Sequence, residues 1–181
     1  MSSIDITPGT YALDPSHSEV GFVARHAMVT KVRGYFRGLA GTITVAEDFA
    51  DSTASATMAV ASVDTGSADR DEHLRSGDFF DADTYPDIAF VSTGLRDVDG
   101  HEFVLDGHLT IKGITRPVSL DVEFEGAATD PFGHDRIGFS ASTDVERGEW
   151  GLTWNAALET GGVLVSKKIK LILDLSAVKQ S

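Results

Sequence analysis

The chain has 181 residues, 41% of them hydrophobic and 24% charged, which is typical of one globular domain spanning residues 1–181. Its formal net charge of −13 disfavours nucleic-acid phosphates and anionic membrane surfaces as partners. The sequence contains no cysteine, which excludes disulfides, thiolate metal ligands and cysteine nucleophiles.

The N-terminal sequence MSSIDITPGTYALD has neither the basic region nor the apolar run of a signal peptide. No apolar run approaches the roughly 18–20 residues of a membrane-spanning helix. The sequence therefore predicts a cytoplasmic protein without an integral membrane segment.

Alternation of apolar and polar residues with a period of two dominates the chain and predicts about eight strands. In chain order these are SEVGFVARHAM, GTITV, STASATMAV, DIAFVSTGL, EFVLDGHLTI, VSLDVEFEG, RIGFSASTDV and KIKLILDL. Their hairpin-like spacing favours an antiparallel sandwich or barrel. Helical periodicity is weak, and the short candidates are Ser67–Leu74 and Trp154–Glu159. The fold class is therefore all-β.

Turn residues support antiparallel neighbours. Asp99-Gly100 predicts a type I′ hairpin turn, in which both central residues take a positive φ. Gly113 and Pro117 interrupt the next apolar run and predict the following connection.

The inward faces of the strands contain several small residues. The predicted buried sets are Ala54, Ala56, Met58 and Val60; Val20, Phe22, Ala24, His26 and Met28; and Ile137, Phe139 and Ala141. An eight-stranded barrel is just wide enough for its side chains to fill or for one small ligand to occupy. The small residues favour a cavity, although a tapered, fully packed core fits the same pattern.

The segment DEHLRSGDFFDADTYPDIAF places Phe79 and Phe80 among acidic residues. Two adjacent aromatics in a loop bury their rings only if the loop folds over an apolar opening. We therefore predict that residues 71–86 form a cap across one end of the barrel, with Phe79 or Phe80 closing it. A surface loop with one ring packed on the outer sheet is the alternative.

No motif indicates metal binding or catalysis. His17 and His26 are separated by an odd number of positions, as are His101 and His108, so each pair points to opposite faces of a regular strand. Asp14, Ser16, His17 and Ser18 are close in sequence, but no G-x-S-x-G elbow is present. The glycines and lysines of GGVLVSKK lack phosphate-loop spacing. We therefore expect no metal, no catalytic residue and no enzymatic activity.

Five blocks of sequence resemble the YceI-like family of polyisoprenoid-binding, lipocalin-like β-barrels. They are YALDPSHSEVGFVARH, GYFRGLAGTI, SVDTGSADRDEHLRSGDFFDADTYPDIAFVST, GHLTIKGITRPVSL and ERGEWGLTWNAALETGGVLVSKKIKLILDL. They follow the family's order from Tyr11 to about Ala177. Ser166-Lys167-Lys168 departs from the family, which often has Gly-Asp-Glu there. The resemblance implies an antiparallel, eight-stranded lipocalin-like barrel with a short helical or loop cap, a tunnel for a prenyl or fatty-acyl chain, and a homodimer.

The candidate function is binding, sequestration or transport of a polyisoprenoid, prenyl quinone or fatty-acyl lipid inside the barrel, without a cofactor. Each buried CH₂ contributes about 0.8 kcal/mol, so a tail of roughly fifteen or more carbons suffices for micromolar affinity without head-group contacts. The alternatives are a packed barrel that acts as an interaction or stress-response module and, third, an enzyme that modifies a lipid on the same barrel.

The candidate ligand-binding residues are Phe22, Ala24, His26, Phe36, Ala56, Met58, Phe79, Phe80, Phe90, Leu105, Leu109, Val122, Phe124, Phe139 and Leu171. For His26 a hydrogen-bonded core position is the commoner explanation. Lys31, Arg33 and Arg147 are candidate contacts for an anionic head group, in which case Arg33→Glu would weaken binding of a prenyl phosphate and spare the alcohol. Lys31 and Arg33 also fit a solvated strand face that prevents edge pairing, and Arg147 also fits an ion pair with an acid of the cap.

Overall fold

The computed structural model describes residues 4–156 and 165–180. Within these ranges the chain forms eleven strands and one α-helix. They are β1 (Gly9–Leu13), β2 (Glu19–His26), β3 (Thr30–Phe36), β4 (Leu39–Val45), β5 (Thr53–Ala59), β6 (Val63–Asp64), α1 (Ala68–Arg75), β7 (Asp87–Asp99), β8 (Glu102–Ile111), β9 (Ile114–Thr129), β10 (Asp135–Glu146) and β11 (Lys168–Lys179).

The strands of the described residues form a closed, antiparallel barrel with eight strand positions. Three positions hold two short strands each, since β1 and β2, β3 and β4, and β5 and β6 follow each other across brief interruptions. The remaining five positions are β7 to β11 in chain order, and β11 closes the ring by pairing with both β1 and β2. The predicted fold class is confirmed.

The interruption between β1 and β2 is explained by local sequence. The Asp14 carboxylate accepts a hydrogen bond from the Ser16 backbone N–H, and Pro15 begins a single 3₁₀ turn that ends at His17. Across the gap, the Ser18 hydroxyl donates to the Ser176 carbonyl and accepts from the Ser176 N–H. Ser18 thereby replaces the strand pairing that the turn interrupts.

Because neighbouring strands alternate in direction, the connections lie in two groups at opposite ends of the barrel. One end, called here the cap end, carries the β2–β3 turn, the β6–β7 segment with α1, the β8–β9 turn and the β10–β11 connection. The other end carries the β4–β5, β7–β8 and β9–β10 connections.

The hairpin turns on either side of β8 lie near the predicted positions, but Pro117 belongs to β9 and not to the β8–β9 connection, and the type of the β7–β8 turn differs from the prediction. The β7–β8 hairpin is present, but Asp99 pairs with Glu102 and the turn residues are Gly100 and His101. Among these residues only Gly100 has a positive φ, of 62°. The two successive positive φ values of a type I′ turn occur instead at Lys112 (54°) and Gly113 (75°), between the paired Ile111 and Ile114. The prediction of a type I′ turn at Asp99-Gly100 is therefore wrong.

The first helix candidate corresponds to α1, whose N-cap is Ser67. The Ser67 hydroxyl accepts a hydrogen bond from the Arg70 N–H. The second candidate, Trp154–Glu159, is not helical at residues 154–156, and its remainder lies outside the described residues. No helix among residues 4–156 and 165–180 is long and apolar enough to cross a membrane.

The barrel wall is incomplete beside the helix. β6 pairs with β3 only through Val63 and Asp64, and within the described chain β6 and β7 do not pair. Residues 65–86, which include α1, connect these two strands across the opening. The β3 residues from Thr30 to Gly34 therefore have a strand partner on the β2 side alone.

Candidate ligand-binding site

The barrel interior contains a cavity of about 260 Å³, slightly below the roughly 300–1,000 Å³ typical of small-molecule pockets. Its wall is apolar except for Arg147 and a few serine and threonine residues. On β11 the wall residues are Ile169, Leu171, Leu173 and Leu175. These residues span about 20 Å of strand, or about 15 Å along the axis of a barrel with the usual strand tilt. The interior is therefore elongated.

Two glycines keep aromatic rings against the wall and out of the centre. A Cβ at Gly34 on β3 would overlap the ring of Phe22, and a Cβ at Gly107 on β8 would overlap the ring of Phe90. Phe22 is the direct pairing partner of Gly34, whereas Phe90 lies diagonally across from Gly107, whose own partner is Ser92. Without these glycines the rings would have to move, and the space beside them is the cavity.

Residues 71–86 form the predicted cap over one end of this cavity. Phe79 is 6% exposed, and Leu74, Phe79 and Phe80 all line the cavity. The Phe80 ring meets Phe36 edge-on at a centroid distance of 5.7 Å. The cap is therefore anchored by apolar side chains, of which only the half-buried Leu74 belongs to α1.

The cap is also held from the side. The Phe79 ring contacts Trp154 at 5.4 Å and His73 at 5.1 Å between ring centroids. Tyr85, near the end of the cap, lies against Gly113 of the β8–β9 turn, where a Cβ would come within 2.8 Å of the tyrosine ring. Gly113 thus provides both the positive φ of its turn and the space for Tyr85.

Arg147 is a buried cation in the wall at the cap end, with 6% of its surface exposed. Its Nε donates to the Ser166 carbonyl at 2.8 Å, and its Nη1 and Nη2 donate to the carbonyls of Trp154 (3.0 Å) and Val165 (3.3 Å). Nη1 also donates to the carbonyl of Leu152. These carbonyls satisfy four of the five N–H groups of the guanidinium.

No acidic side chain among the described residues forms an ion pair with Arg147. The prediction that it pairs with an acid of the cap is therefore not what the structure shows; its contact with the cap is the Phe79 ring, 5.9 Å from Cζ. Burial lowers the pKa of the guanidinium, which nevertheless stays protonated. A positive charge without a negative partner thus lies beside an apolar cavity.

The opposite end of the cavity is closed by aromatic rings. Phe49, from the β4–β5 connection, meets Phe103 edge-on at 5.3 Å, and Phe103 meets Phe139 at 6.1 Å. All three side chains line the cavity. The polar groups here belong to Ser52, Thr53 and Ser55, which carry no charge.

Most of the predicted ligand-binding residues are brought together in the cavity wall. Those in the wall are Phe22, Ala24, Phe36, Ala56, Met58, Phe79, Phe80, Phe90, Leu105, Leu109, Val122, Phe139 and Leu171, together with Arg147.

Four predicted positions lie elsewhere. His26 was expected to face the interior, but it is exposed, as is Met28 beyond it, because β2 ends there and the barrel no longer covers it. Phe124 is buried, yet its ring packs between Phe139 and His101 (5.5 Å to each) and is not part of the wall. Lys31 and Arg33 are exposed on β3, on the face opposite to the wall residue Phe36.

Sequence reasoning missed part of the wall. Phe103, Leu120 and Leu173 are each an even number of positions from a predicted wall residue on the same strand. The period-two pattern therefore already placed them on the inner face. Phe49, Trp150 and Leu152 lie in connections where no periodicity exists. Trp150, 1% exposed, donates its Nε1 hydrogen to the Leu109 carbonyl at 2.9 Å and fixes the β10–β11 connection against β8.

The cluster of Asp14, Ser16 and His17 does not form a catalytic relay. The Asp14 carboxylate and the Ser16 hydroxyl both contact Nδ1 of His17, at 2.7 and 3.1 Å. In a catalytic triad the carboxylate and the hydroxyl bind opposite ring nitrogens. The cluster instead holds the turn between β1 and β2. No group of three or more potential metal ligands occurs in residues 4–156 and 165–180.

Comparisons with known proteins identify relatives over most of the chain. A family model described as a YceI-like domain matches residues 11–177. UPF0312 proteins of Staphylococcus aureus and Staphylococcus epidermidis are 37% identical over 165 residues, covering 88% of this chain and 92% of theirs.

Solved structures with a similar fold were also found. Burkholderia cenocepacia BcnA has a TM-score of 0.79 at 24% identity, covering 91% of this chain and 98% of its own. The Campylobacter jejuni YCEI protein has a TM-score of 0.74 at 28% identity, covering 87% and 90%. A polyisoprenoid-binding domain from Saccharophagus degradans has a TM-score of 0.72 at 17% identity, covering 96% and 100%. The similarities to the Burkholderia cenocepacia and Saccharophagus degradans structures show the fold alone.

Proposed function

Because the chain belongs to the YceI-like family, we propose that it binds a long-chain apolar ligand, such as a polyisoprenoid, a prenyl quinone or a fatty-acyl lipid, inside the barrel. The ligand would be sequestered or transported without chemical change. The observation that carries this proposal is the elongated apolar cavity, which the barrel's own side chains leave unfilled. The name of the Saccharophagus degradans relative, a polyisoprenoid-binding domain, agrees with it.

The wall chemistry matches an aliphatic chain. Apolar side chains contact the ligand along its length, and each CH₂ removed from water contributes about 0.8 kcal/mol. The aromatic rings of Phe49 and Phe103 close the far end without a charged group. We therefore place the tail of the ligand at that end.

The head group belongs at the cap end, beside Arg147. A carboxylate or phosphate there would supply the negative charge that the described surroundings of Arg147 lack, and charge-assisted hydrogen bonds are about twice as strong as neutral ones. The acidic field of a chain with a net charge of −13 opposes an anionic head, so the local cation matters. The apolar tail still provides most of the affinity.

The proposal is tested by native mass spectrometry of freshly purified protein, followed by organic extraction and lipid analysis. A stoichiometric lipid, or uptake of an added prenol by the ligand-free protein, is expected. A ligand-free mass together with no uptake of the prenol would reject the proposal.

A variant locates the binding site. Ala56→Trp introduces an indole ring into the wall, and we expect uptake of the prenol to be abolished while the barrel still folds. Thr57→Trp, one residue further on β5 and exposed outside the barrel, is the matched control and should bind normally. Equal uptake by Ala56→Trp and wild type would place the ligand outside this cavity.

A further inference from the structure

Five cations form one face outside the barrel. This basic face consists of Arg25, Lys31, Arg33, Lys168 and Lys170, on the adjacent strands β2, β3 and β11. The pairing register places Arg25 beside Lys31, and Val23 between Lys170 and Arg33. The alternate residues of these strands, such as Phe22 and Leu171, line the cavity, so the cations point outward.

The charges of the basic face are exposed and unpaired within the described chain. Each of the five side chains is exposed, and none forms an ion pair with a described residue. On β10, Asp144 and Glu146 lie opposite Lys170 and Lys168. On its other side, residues 30–34 of β3 have no strand neighbour among the described residues. Arg25, Lys31 and Arg33 are therefore farthest from these acids.

An apolar tip lies directly beside the basic face. The β2–β3 turn exposes 55% of Met28 and 75% of Val29. Ala27 and Met28 have positive φ values of 52° and 67°, and the Val29 N–H donates to the His26 carbonyl, which closes the turn. This geometry holds two large apolar side chains in water at the cap end.

The tip is close to the Arg147 end of the cavity. His26, at the base of the turn, forms a β-bridge with Val165, and the Val165 carbonyl accepts a hydrogen bond from Arg147. Ser166, the next residue, accepts from Arg147 and donates its N–H to the Arg25 carbonyl. A surface that contacts the tip therefore lies next to the place where we put the ligand head group.

We propose that the basic face and the apolar tip dock the protein onto an anionic lipid bilayer. Lysine and arginine bind the negative surface, and the exposed Met28 and Val29 enter the interfacial region. Nucleic acid would engage the cations but gives no role to an exposed apolar tip. The net charge of −13 repels the rest of the molecule from the same bilayer, which restricts docking to this face. Docking does not depend on the proposed cavity ligand.

The experiment is flotation with vesicles of equal parts phosphatidylglycerol and phosphatidylcholine, compared with phosphatidylcholine alone. We expect the wild-type protein to float with the anionic vesicles, and binding to fall as salt is raised. Arg33→Glu should lower the partition coefficient roughly twenty-fivefold, because it changes the charge by two units and each unit near such a surface accounts for about fivefold. Lys179→Glu makes the same charge change at the opposite end of the barrel and should bind like wild type.

The tip has its own matched pair of variants. Val29→Ser should weaken flotation severalfold, whereas Phe132→Ser, which removes an 83% exposed ring at the opposite end, should not.

The proposal is overturned if the wild type does not float, if Lys179→Glu and Arg33→Glu are equally impaired, or if Val29→Ser has no effect. A nucleic-acid surface would be identified instead if the protein binds DNA, if Arg33→Glu abolishes this binding, and if added DNA prevents flotation. Prenol uptake measured without vesicles should be unchanged in Arg33→Glu, so failure of docking and failure of ligand binding are distinguishable.

Discussion

At the scale of single residues, the cavity depends on glycine as much as on the apolar side chains that line it. Phe22 and Phe90 are large, and in an eight-stranded barrel two such rings directed inward would occupy much of the interior. Gly34 and Gly107 allow them to lie flat on the neighbouring strands. The volume available to a ligand is therefore set by two residues without side chains.

Substitution of one of these glycines tests that dependence. In Gly107→Ala the added Cβ overlaps the Phe90 ring, so the ring must move towards the cavity. We expect binding of cis-parinaric acid, a fluorescent fatty acid, to weaken severalfold and stability to fall by about 1–3 kcal/mol through overpacking. Gly94→Ala is the control, because a Cβ there meets no atom within 4 Å. Unchanged binding by Gly107→Ala would show that the wall yields elsewhere.

Arg147 is expected to determine a second property at this scale, which is a preference for a charged head group. The wild type should bind cis-parinaric acid more tightly than the corresponding alcohol, and Arg147→Gln should lose this preference. A hydrogen bond to a charged group contributes about 1.5–3 kcal/mol, so the loss is roughly tenfold to a hundredfold. The comparison of two ligands on each variant cancels any general effect on the cavity.

Arg147→Lys provides the control for this prediction. It keeps the positive charge but cannot satisfy the carbonyls of Ser166, Trp154 and Val165 as the guanidinium does, so its stability should fall while the preference for the acid remains. A glutamine variant that folds and still prefers the acid would remove Arg147 from the head-group site.

At the scale of the elements, the sequence predicted the long strands well and the short ones poorly. β8 to β11 alternate over ten or more residues, and the alternation identified both the strands and their inward faces. β1 and β6 contain five and two residues, too few for a period to be recognised. They are strands because the barrel supplies partners, a tertiary effect that no local pattern contains.

The same reasoning explains the errors at the site. Parity places His26 on the inner face, but parity does not reveal where β2 leaves the barrel. Parity also places Phe124 with Val122, whereas a register shift beside Phe139 and the packing of Phe139 over Phe124 remove Phe124 from the wall. The cap was predictable because two adjacent aromatics in an acidic loop need an apolar surface.

The cap is expected to open independently of the barrel. Its helix has no fully buried residue, and its apolar anchors are the half-buried Leu74 of the helix and, after the helix, Phe79 and Phe80. In Phe80→Ala, which loses the contact with Phe36, amide hydrogen exchange should accelerate across residues 68–85 and bound ligand should dissociate faster.

The comparison that decides this prediction is between the cap and the barrel. Exchange in β8 and β9 should stay close to wild type in Phe80→Ala, and Phe132→Ala, at the exposed opposite end, should change neither region. A uniform increase across all strands would mean that the cap opens only when the barrel unfolds.

At the scale of the whole molecule, composition gives only the average charge, whereas the fold places charges of opposite sign on different surfaces. The net charge of −13 correctly describes a predominantly acidic protein, yet the pairing of β2, β3 and β11 collects five cations on one face. Only strand register could reveal that face, because its members come from residues 25–33 and 168–170. Barrel closure likewise depends on contacts between distant segments.

One such contact ties the closing strands together. Arg136 at the start of β10 donates from Nη1 to Asp14 and from Nε to Asp130, both at 2.8 Å. Asp14 lies between β1 and β2, the strands that close the barrel against β11. Hydrogen bonding to Arg136 holds the pKa of the Asp14 carboxyl well below its usual range and lowers the pKa of Asp130 to about 2.

These shifts predict how stability depends on pH. The unfolded chain has carboxyl pKa values near 3.9, so between about pH 4 and about pH 2 it binds more protons than the native state. The stabilisation is therefore complete above about pH 4 and is lost as the pH falls towards about 2.

Urea unfolding midpoints measured across this range should fall more steeply for the wild type than for Arg136→Gln, which should already be less stable at neutral pH. Part of the slope should persist in the variant, since Ser16 and His17 also bind Asp14. Arg37→Gln, whose partners Glu19 and Asp64 are exposed and 4.0 and 3.4 Å away, should reproduce the wild-type slope. Identical slopes for Arg136→Gln and wild type would show that barrel closure does not depend on these two carboxylates.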